Sequence, residues 1–205
     1  GYLPSAIINF IAFLGWNPGT NKEIYSLDEL VKDFSIKKVS KSGAIFNIDK
    51  LDWINKIYIR EMDLDELTQK CLPYLKQKKG IDNKKVILAY KDRLKKLADI
   101  TELTDYLYQD QLNYNKELLR WKDMQDKEVK ESLTNAFDLI KKSNGNIKER
   151  LIKEAKQASS IGSFMWPLRV ALSGKKASAG PDEIINIIGK EKSLKRIQSA
   201  LAFFD

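Results

Sequence analysis

Two arginines set in otherwise apolar stretches are the residues of this sequence best suited to recognition chemistry. Arg93 follows Tyr90 by three residues in "KKVILAYKDRLKK" (84–96). Arg169 stands in "FMWPLRVALSG" (164–174) among Phe164, Met165, Trp166, Leu168, Val170 and Leu172. Such neighbours can fix the aliphatic stem while the planar fork and its N–H donors remain available. A rigid fork suits the reading of unpaired nucleotides, whose splayed bases stack on planar groups and offer their Watson–Crick edges to donors. A lysine brings charge without that geometry. The loop after Arg169, "SGKKASAG" (173–180), adds Lys175 and Lys176 for phosphates and small residues that let a backbone come close. Pro181 then opens a helix whose first amides favour an anion. Lys91 and Lys96 flank Arg93 as further phosphate partners. The plainer alternatives are a solvated lysine face over 84–96 and, for Arg169, a buried guanidinium satisfied by helix C-terminal carbonyls.

Other chemistry is sparse. The 205 residues include no histidine, which removes Ser–His and Cys–His nucleophile pairs, most zinc sites and the commonest general acid–base group. The single cysteine, Cys71, sits at helical spacing from Leu67 and Leu75 and reads as a small core residue. The acidic residues fall mostly in helix first turns and on polar faces, where they act as caps and solvated charge. No catalytic residue and no metal site is therefore expected. A lysine-based enzyme would need a lysine of strongly lowered pKa in a pocket, and nothing marks one. With 36 Lys and Arg against 28 Asp and Glu the net charge is +8, which favours a polyanionic partner. No run of about 18 apolar residues and no cleavable leader is visible, so a cytoplasmic chain without membrane contact is expected.

The elements that position these groups are mainly helical. Pro4 and Ser5 open a helix with Ile7, Ile8, Ile11 and Leu14 in register, ended by Gly15. Ser26-Leu27-Asp28-Glu29 is a capping box ahead of Leu27, Leu30, Val31 and Phe34. Asp63 and Glu66 repeat it before Leu67 and Cys71. Between them "IKKVSKSGAIFNI" alternates around Ser42-Gly43, which predicts two short strands or an extended loop. A linker, "KQKKGID" (76–82), leads into helices that run to the end. Val86, Tyr90, Leu94 and Leu97 mark one stripe, and Val129, Leu133, Ala136, Phe137 and Ile140 another. Asn146 caps a third helix, Pro181 and Gly189 bracket a short one, and Leu194, Ile197 and Leu201 mark the last. The expected fold is mainly α: a small mixed α/β domain over 1–75, then an all-helical bundle or cage over 76–205, of about six to eight short helices.

Several stretches carry a family resemblance. "GYLPSAIINFIAFLGWNPG" and "EIYSLDELVKDFSIKKVSKSGAIFNIDKLDWINKIYIRE" resemble the part of bacterial-type glutamyl-tRNA synthetases that follows their KMSKS loop, and "PLRVALSG", "EIINIIGKE" and "LKRIQSAL" resemble the end of the same family. The similarity runs in family order along nearly the whole chain, strongest in 1–62 and 167–201. It implies a stem-contact domain and an anticodon-binding helical cage of a class I synthetase, without the Rossmann catalytic domain whose HIGH-type signature needs histidine. "VSKS" (39–42) is not read as the KMSKS loop, because in the family a similar "VSKS" follows the "LGW" helix. By the resemblance, Arg93 matches the arginine that reads the third anticodon base, Arg169 the arginine before the "ALxG" turn, and Ser178 and Pro181 loop positions contacting the first two bases. Here the loop reads Ser178-Ala179-Gly180-Pro181-Asp182, which departs from the family pattern and places weight on backbone contacts at 181 and 182. The implied partner is tRNA(Glu), bound by a monomer. ATP and Mg²⁺ belong to the catalytic domain of the intact glutamate-specific ligase, with no cofactor in this part. A basic helical protein–protein module is the competing function.

Overall fold

The structure, a computed structural model, describes residues 1–41, 43–143 and 145–204. These residues are mainly helical and divide into two compact units, Gly1–Leu75 with Tyr90–Glu102, and Lys76–Ala89 with Leu103–Asp205.

The first unit contains α1 (Pro4–Phe13), α2 (Leu27–Asp33), α3 (Ile48–Glu61) and α4 (Leu64–Cys71). Pro4 occupies the first turn of α1, where its missing N–H costs nothing. The helix then turns Ala6, Asn9 and Phe10 inward and packs on α3. Ile7, Ile8 and Ile11, expected on the core face, are exposed at 36, 44 and 58%. Asn9 explains the reversal. Its amide donates to the Glu23 carbonyl at 2.9 Å, and its Oδ1 accepts from the Tyr25 amide at 2.7 Å and the Tyr58 hydroxyl at 3.1 Å. A buried polar group must keep its partners, and at 100° per residue an inward Asn9 carries Ile8 and Ile11 outward. In α2 the Ser26/Glu29 capping box forms as read, yet only Leu30 of its apolar residues is buried. Phe13, Trp16, Tyr25 and Phe34 make an aromatic cluster with centroids 5.5–5.8 Å apart.

The expected mixed α/β character is not observed. Among the described residues β-pairing amounts to one antiparallel bridge, Trp16 with Val39. Ile36–Lys38 is a 3₁₀ turn, and Ile45, on the alternating pattern, is 89% exposed. A lone strand with no neighbour to take its N–H and C=O groups has no reason to persist. Ser42, of the anticipated Ser42-Gly43 turn, lies outside the described residues.

The segment Tyr90–Glu102 folds with the first unit, so the units are not separated by one cut at 75/76. Asn55 of α3, wholly buried, holds it: its Oδ1 accepts from the Leu3 amide at 2.8 Å and its Nδ2 donates to the Lys95 carbonyl at 2.5 Å. The Leu97 amide donates to the Gly1 carbonyl at 2.8 Å. These bonds also correct the single amphipathic helix expected over 84–96. Helix α5 (Asn83–Tyr90) stops at Tyr90, a 3₁₀ turn covers Lys91–Arg93, and Leu94 is extended. The Asp99 carboxylate accepts from the Lys95 and Lys96 amides at 3.0 and 2.9 Å, drawing off donors that a continuing helix would spend on its own carbonyls. Val86, Tyr90, Leu94 and Leu97 are still all buried, but the cations between them do not share one helical face.

The second unit is all-helical. Past α6 (Asp99–Thr104), most of which belongs to the first unit, it contains α7 (Asp126–Lys142), α8 (Ile147–Ala155), α9 (Ile161–Ser173), α10 (Pro181–Ile188) and α11 (Lys190–Leu201). α9 is the hub, packed by α7, α8, α10, α11 and a 3₁₀ turn at Lys116–Leu119. Asn146 caps α8, and Gly189 in the left-handed region (φ 80°) ends α10 as the sequence signals require.

Two outcomes test this packing. Asn55→Ala leaves the Leu3 amide and Lys95 carbonyl unpaired, and at about 1–3 kcal/mol for each orphaned group the urea midpoint should register a loss of about 2 kcal/mol or more. A loss below about 0.5 kcal/mol would contradict the role given to Asn55. Burial pushes the Cys71 thiol up to about 11. Between its ordinary value and 11 the native state keeps a proton that the unfolded chain releases, so this group's contribution is intact below the ordinary value and lost as pH climbs through 11. Iodoacetamide should therefore modify Cys71 at pH 9 only as fast as the chain unfolds.

Candidate nucleic-acid interface

Arg93 closes the 3₁₀ turn Lys91–Arg93 with its side chain exposed and its guanidinium carbon 5.6 Å from the centroid of the buried Tyr90 ring. The ring supplies a fixed platform for the fork. Lys91 beside it is half-buried and donates to the Met62 carbonyl, at 2.5 Å, just past the end of α3. Lys96 is half-buried with its ammonium 5.7 Å from the Tyr2 ring. These three lie in the first unit, while Arg169, Lys175, Lys176, Ser178 and Pro181 lie in the second.

Arg169 projects from the last turns of α9, the most enclosed helix of its unit. Phe164, Pro167, Leu168, Val170 and Leu172 around it are buried. The arginine is half-buried, and its Nε is sealed from solvent with no hydrogen-bond partner. The carbonyl-satisfied guanidinium offered as the plain alternative for Arg169 exists elsewhere, at Arg196. That side chain is 4% exposed and donates to the carbonyls of Leu172, Tyr106 and Gln109 at 2.5, 2.6 and 2.7 Å. Burial lowers its pKa to about 10, which leaves it charged at neutral pH. The sequence reading missed it. The signal was present in α11, where Ser193, Arg196, Ile197 and Ala200 share the buried face at helical spacing.

The loop after α9 is tightly tied. The Ser173 hydroxyl donates to the Arg169 carbonyl at 2.7 Å and accepts from the Lys175 amide at 3.1 Å. Gly174 ends the helix with φ 67°, and a Cβ there would lie 3.2 Å from the Tyr114 ring, so both conformation and space call for glycine. Lys175 reaches Asp105 Oδ1 at 2.5 Å, with its ammonium 5.8 Å from the Tyr106 ring. Lys176 and Ala177 are exposed. Ser178 is 3% exposed, its hydroxyl bonded to the Ala179 carbonyl at 3.0 Å, and Pro181 is buried at the start of α10. Ser178, Ala179 and Pro181 are buried as whole residues, so the accessible part of the loop is Lys176 and Ala177, with Gly180 half-buried. At the helix start expected to favour an anion, the amide of the capping residue Gly180 donates to the protein's own Glu183 Oε2 at 2.6 Å.

Among the described residues no three His, Cys, Asp or Glu side chains converge as a metal site. The chain has no histidine and its described residues form no parallel sheet, so they do not fit an ATP and Mg²⁺ site of the class I kind.

Comparison with known proteins agrees with this geometry. The family model described as "Anticodon binding domain" matches residues 66–201, and one described as "tRNA synthetases class I (E and Q), catalytic domain" matches residues 1–53. A glutamate–tRNA ligase of Clostridium kluyveri is 38% identical over 97% of this chain and 42% of its own length. A second, glutamate–tRNA ligase 2 of Thermoanaerobacter pseudethanolicus, is 34% identical over 99% of this chain and 45% of its own. The chain thus spans less than half the length of these curated relatives. A solved glutamate tRNA ligase from Elizabethkingia meningosepticum superposes on the whole chain with a TM-score of 0.82 at 28% identity, using 42% of its own length. The corresponding enzyme of Elizabethkingia anophelis covers 98% of the chain, and 41% of its own, with a TM-score of 0.79 and 28% identity. With more than half of its residues inside the anticodon-binding match, the chain belongs to the anticodon-binding-domain family.

Proposed function

We propose that this chain is the tRNA-binding part of a glutamate–tRNA ligase and that it recognises the anticodon of tRNA(Glu). A catalytic part carried elsewhere in the longer protein would join glutamate to that tRNA with ATP and Mg²⁺. In this reading residues 1–75 act as a stem-contact domain and 76–205 as the anticodon-binding domain. Arg93, on its Tyr90 platform, reads one anticodon base. Arg169 reads a second, and the backbone around Ser178 and Pro181 contacts a third. Lys91, Lys96 and Lys176 contribute positive potential toward phosphates, while the Lys175 ammonium is engaged by Asp105. The protein is taken as monomeric and cytoplasmic.

The observation that carries the reading is the anticodon-binding match over 66–201. The net charge of +8 and the absence of histidine support a binding role over a catalytic one for this part of the protein. Twelve exposed large apolar residues, from Ile7 to Trp53, lie within the stretch 1–53 that matches a catalytic-domain family, which supports a packing seat for more of the same polypeptide.

Specificity is a difference of affinities, so the test compares RNAs rather than measuring one. Binding of the chain to tRNA(Glu) should weaken linearly in log Kd against log salt concentration. Arg93→Ala should cost about 1–3 kcal/mol on the matched anticodon and relax preference at one base, and Arg169→Ala should do the same at another. Equal losses on every tRNA would reassign both arginines to backbone contact. A salt-independent interaction, or none, would favour a protein–protein module.

A further inference from the structure

Arg196 and Asp105 lie on different elements, yet both hold the stretch where α9 passes into the 174–180 loop. Arg196 binds the Leu172 carbonyl from α11 and, through the same guanidinium, the carbonyls of Tyr106 and Gln109. Its guanidinium carbon lies 5.9 Å from the Tyr106 ring. Asp105, one residue earlier, takes Lys175 from the loop at 2.5 Å and the Tyr106 amide at 2.7 Å. Ser173, between Leu172 and Lys175, is 1% exposed and locks both sides of the turn. One short turn at 105–109 is thus pinned to the end of α9 by a buried charge and to the loop by a half-exposed ion pair.

We propose that Arg196 and the Asp105–Lys175 pair form a bracket that sets the 174–180 loop in its recognition shape before RNA arrives, so that Lys175 is a positioning residue and not a phosphate contact. This rests on the anticodon reading given above. Two magnitudes support the division of labour. A guanidinium bonded to three carbonyls in the interior is costly to disturb, because each carbonyl it leaves is orphaned. The Asp105–Lys175 pair, with side chains 36 and 31% exposed, is a weaker latch that trims the loop's freedom without deciding the fold. A loop ordered in advance is spared the entropy of ordering at binding, and the gain falls on interactions that need exact placement, which are base contacts rather than phosphate contacts.

The test uses the full chain and three substitutions, Asp105→Asn, Lys175→Met and Arg196→Lys. Amide exchange of residues 174–180, followed by mass spectrometry, should quicken about threefold for the first two and tenfold or more for Arg196→Lys, since an ammonium cannot span three carbonyls. Exchange in α7 should stay as in the wild type. If α7 also loosens in Arg196→Lys, the two surface variants decide. Unchanged loop exchange in both overturns the bracket. In tRNA binding, Lys175→Met should keep the wild-type salt slope and lose severalfold in preference for a matched over a one-base-changed anticodon. A slope smaller by about one with preference intact makes Lys175 a phosphate contact and overturns the proposal. A wild-type chain that binds every anticodon alike overturns the anticodon reading instead, and the exchange result still decides the bracket.

Discussion

A charge taken out of water needs acceptors in place of that water, and Arg196 finds them through its two terminal nitrogens, its buried Nε alone having no partner. The guanidinium is 4% exposed, and its two terminal nitrogens reach three backbone carbonyls drawn from two separate stretches of chain. Removing either stretch would leave a buried cation with too few acceptors, a state costly enough that the alternatives are not populated. The end of α9, the 105–109 turn and α11 are therefore fixed together. Arg169 and the 174–180 loop inherit their positions from that junction. The first unit is organised by the same logic with amides in place of a cation, through Asn9 and Asn55.

Much of this was readable from the residues. Capping at Ser26 and Asn146, the proline-led starts at Pro4 and Pro181 and the stop at Gly189 carry their own backbone chemistry. The α7 stripe is equally plain, because four of its residues recur at helical spacing and all are buried. What could not be read depends on partners far away in sequence. Asn9 turns α1 over by bonding residues 14, 16 and 49 positions away. The chain beyond α5 is held instead by Asn55, 40 residues before Lys95, and by the Gly1 carbonyl, which takes the Leu97 amide. The alternation at 36–48 allowed two short strands or an extended loop, and the described residues of that stretch are exposed, with Val39 alone bridged to Trp16.

The candidate site divides the same way. The exposed fork of Arg93 and the half-buried fork of Arg169 follow from apolar neighbours and were legible. The roles of the lysines were not, since Lys91, Lys96 and Lys175 look alike in sequence while their surroundings are a carbonyl, an aromatic ring and a carboxylate. Charge alone brings a polyanion near; it is the held forks and a set loop that would tell one unpaired base from another.

On the proposed function, the 174–180 loop and the forks of Arg93 and Arg169 meet the anticodon nucleotides. The most direct measurement places 4-thiouridine at single positions of the anticodon in tRNA(Glu), irradiates the complex with the chain and maps the crosslinked peptides. Adducts should fall within Lys91–Arg93 and within 169–181, with the peptide changing as the label moves from one anticodon position to the next. Adducts confined to α1–α3, or to α7 and α8, would contradict it.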